Sequence, residues 1–415
     1  MSGIKLSICI PTYNREAYLR NALSHCERDF DFDFPYEIVI SDNASTDNTT
    51  QVVEEFIARG LPIHYHRRAV NGGSGPNLAC AFHHAVGEYS VYLADDDFLI
   101  PDGIKSAMAY LDANPDVSAC HAPWYLYDEV NDKDFSQFYQ IDYNKKFFRG
   151  RFAEVFQFIY ERHIFPEIAI YRSSALRAAW IPRDFCFWAF SYLAHFLDQG
   201  AIAFLTKPFY RSVAVSKIAR HRQQAGNDDV MTSWDRYRGG LEYFLYIGIK
   251  RGNIRNTREN YLEYEEKCRK FALQRMAVAI RFWVARRDFI KAYELYTRMV
   301  IGGMGNHPEI VPLRDTLPLN VAIQTLVFQV NATAGITRLI LADLADPKGI
   351  ADILRREGLD QGIEITLEPP VHEPERLEKT SVFHSDPSLR QKFETLGYKP
   401  NLIFSDSDLI QYVLM

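Results

Sequence analysis

Strand-like and helix-like segments alternate through the first hundred residues, and this alternation constrains the fold more than any other feature. "KLSICIP", "YEIVISDNAS", "IHYHRR" and "YSVYLA" read as strands, and between them "NREAYLRNALSHCERD", "NTTQVVEEFIARG" and "GPNLACAFHHAVG" read as helices. Strands separated by helices of this length need crossovers, which are right-handed and give a mostly parallel sheet. In such a sheet ligands bind beyond the carboxyl ends of the strands. The residues that leave those ends are Pro11 to Arg15, Asp42 to Asp47 and Asp95 to Asp97, so three polar loops are expected to converge on one crevice.

The 415 residues are too many for one ordinary core and imply two or three domains. The expected division is an α/β domain at 1–225 (in two halves, 1–104 and 105–225), a helical region at 226–325 and a small Rossmann-like α/β domain at 326–415. A net charge of -6 gives no global reason to expect a nucleic-acid partner. Six scattered cysteines without CxxC spacing suggest neither zinc nor a redox dithiol, and fit a reducing cytoplasm. The N-terminus enters a strand pattern without a signal-peptide apolar region, and no apolar run reaches the roughly 18 residues of a membrane span. A cytoplasmic chain, at most peripheral at the inner face of a membrane, is expected.

The strongest chemical signal is "VYLADDDFLIPDGI", three consecutive carboxylates directly behind an apolar strand. Like charges a few Å apart raise one another's pKa and resist burial, so a local positive partner is implied. A divalent cation is the first candidate, because Mg²⁺ and Mn²⁺ bind through one or two carboxylates and complete their shells with substrate phosphates and water. A solvated, helix-capping turn is the competing reading. In "SDNASTD", Ser45 or Asp47 reads as a helix cap, whereas Asp42 ends the strand inside the crevice and can accept from the N–H of a nucleobase.

Together these segments resemble the family 2 glycosyltransferases, nucleotide-sugar-dependent enzymes of the GT-A fold. "SICIPTYNREAYLRNAL" is similar to the opening strand and helix of that family, "IVISDNASTDNT" to its nucleotide-binding strand and loop, and "NGGSGPNLACAFHHAVGEYSVYLADDDFLIPDGI" to its run into the DXD metal motif. The resemblance is close over residues 5–104, loose to about 222 and absent beyond. It implies that Pro11, Thr12 and Tyr13 border the base and ribose, that Asp42 bonds the base, and that Asp95 lies near the ribose, with Asn77 in the same nucleotide-binding set. It implies Asp96 as a ligand of Mn²⁺ or Mg²⁺ on the donor diphosphate, with Asp97 a second ligand or a sugar contact. Two positions depart from the family: Ala94 stands where an acidic residue is frequent, and Pro76 where an Arg often precedes the Asn.

Glycosyl transfer also needs a base for the acceptor hydroxyl. The resemblance places it near Trp188, which cannot take a proton, so Asp184, one turn earlier, and Glu167 in "HIFPEIAIYR" are the candidates. Their competing roles are a helix cap for Asp184 and an ion pair with Arg172 or another base for Glu167. "SKIARHRQQAGN" follows the last strand of the catalytic domain, where the resemblance implies a loop over the donor; His221 is a candidate metal ligand and Arg220 and Arg222 candidate diphosphate contacts. "MAVAIRFWVARRDFIKAY" could lie on an anionic membrane and meet a lipid-linked acceptor, or simply pack as a helix with a solvated face. The C-terminal domain lacks GxGxxG and leaves ligand binding, homo-oligomer formation and partner contact open.

The expected function is therefore a metal-dependent, inverting glycosyltransferase, using a nucleotide-sugar donor (a UDP-sugar first) and a glycan or lipid-linked glycan acceptor in surface polysaccharide synthesis. The alternatives are an inactive scaffold and a nucleotidyltransferase. The latter needs a glycine-rich, basic triphosphate loop after the first strand, which "PTYNRE" is not.

Overall fold

The computed structural model describes residues 3–179, 186–219, 230–367, 373–386 and 388–410. The chain divides into two compact units, Met1–Ala272 and Leu273–Met415.

The first unit is built on an eight-stranded mixed sheet. Its leading strands β1 (Leu6–Thr12), β2 (Tyr36–Asp42), β3 (Ile63–Arg67) and β4 (Tyr89–Tyr92) are parallel and are connected by α1 (Glu16–Asp29), α2 (Thr49–Ala58) and α3 (Ser74–His84). Leu6, Ile8, Cys9 and Ile10 of β1 and Ile38, Val39 and Ile40 of β2 are all buried. Burial on both faces explains why these strands read as continuous apolar runs rather than as alternating patterns.

The chain continues through β5 (Phe98–Leu99), α4 (Pro101–Ala113), β6 (Val117–His121), β7 (Tyr125–Asp128), β8 (Lys133–Gln137), β9 (Lys145–Phe147), α5 (Phe152–Arg162) and β10 (Ala169–Arg172). A short α6 (Ser173–Leu176), then α7 (Trp188–Gln199), β11 (Ala201–Phe204) and β12 (Tyr210–Val215) follow. The strand order is β3-β2-β1-β4-β10-β6-β11-β9, with β10 inserted antiparallel between β4 and β6. A second sheet, β5-β12-β7-β8, has no counterpart in the sequence reading, because its strands are short and half-exposed.

Gly103 brings the two sheets' connections together. A Cβ there would lie 2.1 Å from the Pro208 carbonyl oxygen and 2.6 Å from Phe209 Cα, so only glycine lets α4 approach the segment that enters β12. That approach fixes β12 beside the acidic triplet.

The second unit contains the helices Phe289–Ile301 and Leu313–Ala332 and an all-parallel sheet ordered β14 (Glu364–Thr366), β13 (Arg338–Ala342), β15 (Thr380–His384) and β16 (Ile403–Ser405). The α/β expectation for this part of the chain holds. Among the described residues no helix is long and apolar enough to cross a membrane.

Candidate active site

The carboxyl ends of β1, β2 and β4 bring together the three loops expected from the sequence. Loops 12–16 and 42–48 are laced by reciprocal bonds: the Asn14 N–H donates to Ser45 Oγ at 2.9 Å, and the Thr46 N–H to Asn14 Oδ1 at 2.7 Å. The Glu16 N–H donates to Asp47 Oδ2 at 3.0 Å, and the Asn48 N–H to Glu16 Oε2 at 2.9 Å. Asn14 (φ 51°) and Ala44 (φ 65°) take left-handed backbone conformations to make this lacing. For Ala44 that conformation carries strain, which the surrounding bonds offset. Asp47 also accepts from the Thr49 N–H and hydroxyl at the start of α2, although the N-cap residue of that helix is Asn48.

The third loop joins through Asp95. Thr12 Oγ1 donates to Asp95 Oδ2 at 2.7 Å, and Arg15 Nε lies 2.9 Å from Asp95 Oδ1. The same guanidinium pairs with Asp96 through Nη2. Arg15 is thus a cationic partner of the triplet, a role the sequence reading had given first to a metal. Burial opposes its charge, but the Asp95 and Asp96 carboxylates outweigh that and hold its pKa above the ordinary value. The signal was available: Arg15 sits in the loop leaving the carboxyl end of β1.

The three aspartates take different tasks. Asp97 is buried, and its oxygens accept the Val213 N–H at 2.8 Å and the Tyr210 hydroxyl at 2.9 Å. It therefore ties β12 to the triplet. Asp96 is the most exposed in side chain of the two that meet Arg15, 13% against 9% for Asp95. A carboxylate at the mouth of a crevice that contributes one ligand among substrate phosphates and waters fits Mn²⁺ or Mg²⁺. Among the described residues no group of three or more His, Cys, Asp or Glu could hold a metal by itself. Asp184, Arg220, His221 and Arg222 lie outside the described residues.

Asp42 is fully buried. Oδ1 accepts the Ser45 N–H at 2.8 Å, Oδ2 accepts the Tyr65 hydroxyl at 2.6 Å, and Arg67 Nε is 3.6 Å away. Burial and the bond to Asp42 push the Tyr65 phenol up to about 12. The structure thus shows Asp42 organising its own loop. Asn77 is likewise buried, accepting from Ser41 Oγ at 2.7 Å and donating to the Thr12 carbonyl at 3.1 Å, so it clasps β1 and β2 to α3. Pro11 is half-buried at the rim and Tyr13 is exposed beside it.

Glu167 reaches the same edge because β10 runs backwards. Ile170 faces Val91 and Tyr171 faces Ser90, so Glu167, just before β10, lies toward the end of β4 that leads into the triplet. Consistent with this placement, burial and then Asp97, Asp96, Asp95 and Glu167 together raise the Tyr92 phenol well above its usual range. Arg172, the partner considered for Glu167, pairs instead with Glu88 at 3.3 Å. Trp188 opens α7 with its ring edge-on to Tyr92, centroids 6.5 Å apart, forming an aromatic wall near these carboxylates.

Comparison with known proteins bears on this geometry. The abequosyltransferase RfbV of Salmonella typhimurium is 37% identical over 116 residues, which are 28% of this chain and 35% of that one. The poly(ribitol-phosphate) beta-N-acetylglucosaminyltransferase TarS of Staphylococcus aureus is 33% identical over 113 residues, 26% of this chain and 19% of that one. The chain thus spans about a third and about a fifth of these two relatives. A crystal structure of S. aureus TarS 1-349 in complex with UDP-GlcNAc superposes with a TM-score of 0.48 at 18% identity, covering 79% of this chain and 86% of that one. The family model described as Glycosyl transferase family 2 matches residues 7–180, the segment that carries all three loops and Glu167, and this segment belongs to that family.

Proposed function

We propose that this chain is a metal-dependent, inverting glycosyltransferase, which moves a glycosyl unit from a nucleotide sugar, a UDP-sugar first, to a hydroxyl of a glycan or lipid-linked glycan in surface polysaccharide synthesis. The observation that carries the reading is the cluster of Thr12, Arg15, Asp95 and Asp96 at the carboxyl ends of β1 and β4, with Glu167 brought to the same edge. The family of residues 7–180 and the sugar transfers named for its relatives support it.

In this reading the laced loops 12–16 and 42–48 line the base and ribose, with Asp42 and Asn77 fixing their shape from behind. Asp96 would hold Mn²⁺ or Mg²⁺, which supplies Lewis-acid stabilisation of the departing diphosphate. Arg15 adds a fixed positive charge at the same place, and its planar fork suits phosphate oxygens. The acceptor hydroxyl loses its proton to a carboxylate, with Glu167 the first candidate and Asp184 the second. The acceptor oxygen forms the new bond to the anomeric carbon as the bond to the diphosphate breaks on the opposite face. One displacement of this kind inverts the configuration. The Trp188 and Tyr92 rings wall the sugar side.

The test is a thermal-shift panel of UDP-, GDP-, dTDP- and CMP-sugars with and without Mn²⁺. A selective stabilisation that needs the metal, and that Asp96→Ala abolishes, is expected. A shift untouched by chelator and by that variant removes the metal from the reading. No shift with any donor favours a scaffold.

A further inference from the structure

We propose that the first unit carries a docking surface for an anionic lipid membrane, separate from the donor crevice. Two segments, "YNKKFFRGR" at 143–151 and "YIGIKRGNIRNTR" at 246–258, hold eight Lys and Arg and no Asp or Glu, in a chain whose net charge is -6. The fold brings them into contact: a Cβ on Gly150 would lie 2.8 Å from Asn253 Nδ2, and one on Gly248 would lie 2.9 Å from Phe152 Cβ.

Part of this charge is already paired, Lys146 with Asp116 at 2.6 Å and Arg151 with Glu154 at 3.1 Å, and the rest is open to a partner. Arg149, Lys250 and Arg255 are exposed and have no carboxylate partner among the described residues. Arg251 is paired, to Asp198 at 2.7 Å. Between the cations stand exposed rings, Phe148 at 63% and Tyr246 at 54%, the latter with Lys250 Nζ 5.8 Å from its centroid. This composition separates two occupants. A soluble polyanion rewards the cations alone, whereas exposed aromatic rings among cations gain free energy when they enter the interfacial layer of a bilayer whose headgroups are anionic.

The location keeps docking apart from catalysis. β9 is antiparallel to β11, with Phe147 facing Ile202, so Phe148 lies at the amino ends of the parallel strands. The triplet lies at their carboxyl ends. A chain without a membrane-crossing helix among its described residues can thus hold to a membrane through one edge of its sheet while the crevice opens at the other.

The experiment is co-sedimentation of the full chain with phosphatidylcholine vesicles and with phosphatidylcholine–phosphatidylglycerol vesicles. Binding to the anionic vesicles alone is expected, weakening as salt rises above about 0.1 M. Removing two cations by Arg149→Ala with Lys250→Ala lowers the partition coefficient about 25-fold, at about five-fold per cation. Phe148→Ser lowers it further in the same background. UDP-induced thermal shifts equal to the parent's show that each variant is folded with its crevice intact. No binding, equal binding to both vesicles, or variants that bind like the parent overturn the proposal. Retention on immobilised polyphosphate that Phe148→Ser leaves unchanged also overturns it, assigning the surface to a soluble polyanion.

Discussion

Arg15 Nε lies 2.9 Å from Asp95 Oδ1, joining the loop after β1 to the loop after β4 by an ion pair that is largely sheltered from solvent. The same side chain reaches Asp96, so one guanidinium offsets part of the adjacent negative charge that the end of this strand presents to the crevice. This pairing makes an acidic triplet compatible with a nearly buried position.

Arg15→Ala is expected to destabilise the fold by about 1–3 kcal/mol. Breaking a buried pair costs about 3–5 kcal/mol, and the 26% exposure of the Arg15 side chain reduces that here. The variant should also weaken UDP-sugar binding, with Arg15→Lys recovering stability better than binding. Urea melts and donor titrations of the two variants check both parts.

Asp97 and Tyr210 predict a loss of stability rather than of metal response. Tyr210→Phe removes the hydroxyl that donates to Asp97 and accepts from the Ala94 N–H, at a cost of about 1–2 kcal/mol. Asp97→Ala should cost more, because it also leaves the buried Val213 N–H without its acceptor. If instead Asp97→Ala unfolds at the parental denaturant concentration but loses its Mn²⁺ response, Asp97 is a ligand and not a tie.

Glu167→Gln separates chemistry from binding. The substitution keeps shape and removes the proton acceptor, so kcat should fall about 10²- to 10⁴-fold while the UDP thermal shift stays at the parental value. An unaffected kcat in Glu167→Gln alongside a collapse in Asp184→Asn transfers the role to Asp184.

His121 gives the fold a defined acid sensitivity. It is buried at the end of β6 against Phe204, ring centroids 5.0 Å apart, and burial pushes its pKa down to about 3. The unfolded chain binds this proton near pH 6.5, so stability is complete above that value and falls as pH drops from there toward 3. Between pH 7.5 and 5.5 the loss from this one group is about 1.4 kcal/mol. Denaturant midpoints at the two pH values measure it, and His121→Leu should flatten the difference.

The sequence by itself determined the elements of the nucleotide-binding half and the three loops at their carboxyl ends. Strand and helix periods are local, and β1 and β2 are buried enough to read as largely apolar runs. The triplet was legible for the same reason, since three adjacent carboxylates need no fold to be noticed. Tertiary structure alone decided what those residues do. Arg15 and Asp96 are 81 positions apart, Asp97 and Tyr210 are 113 apart, and nothing local marks either pair. Glu167 joins the site only because β10 runs antiparallel to β4, and strand direction leaves no trace in an apolar run. The basic surface likewise exists only where two segments about a hundred residues apart meet at Gly150 and Asn253. Short-range periodicity fixes which elements form, whereas charge pairing and burial act between atoms that only the completed fold brings within reach.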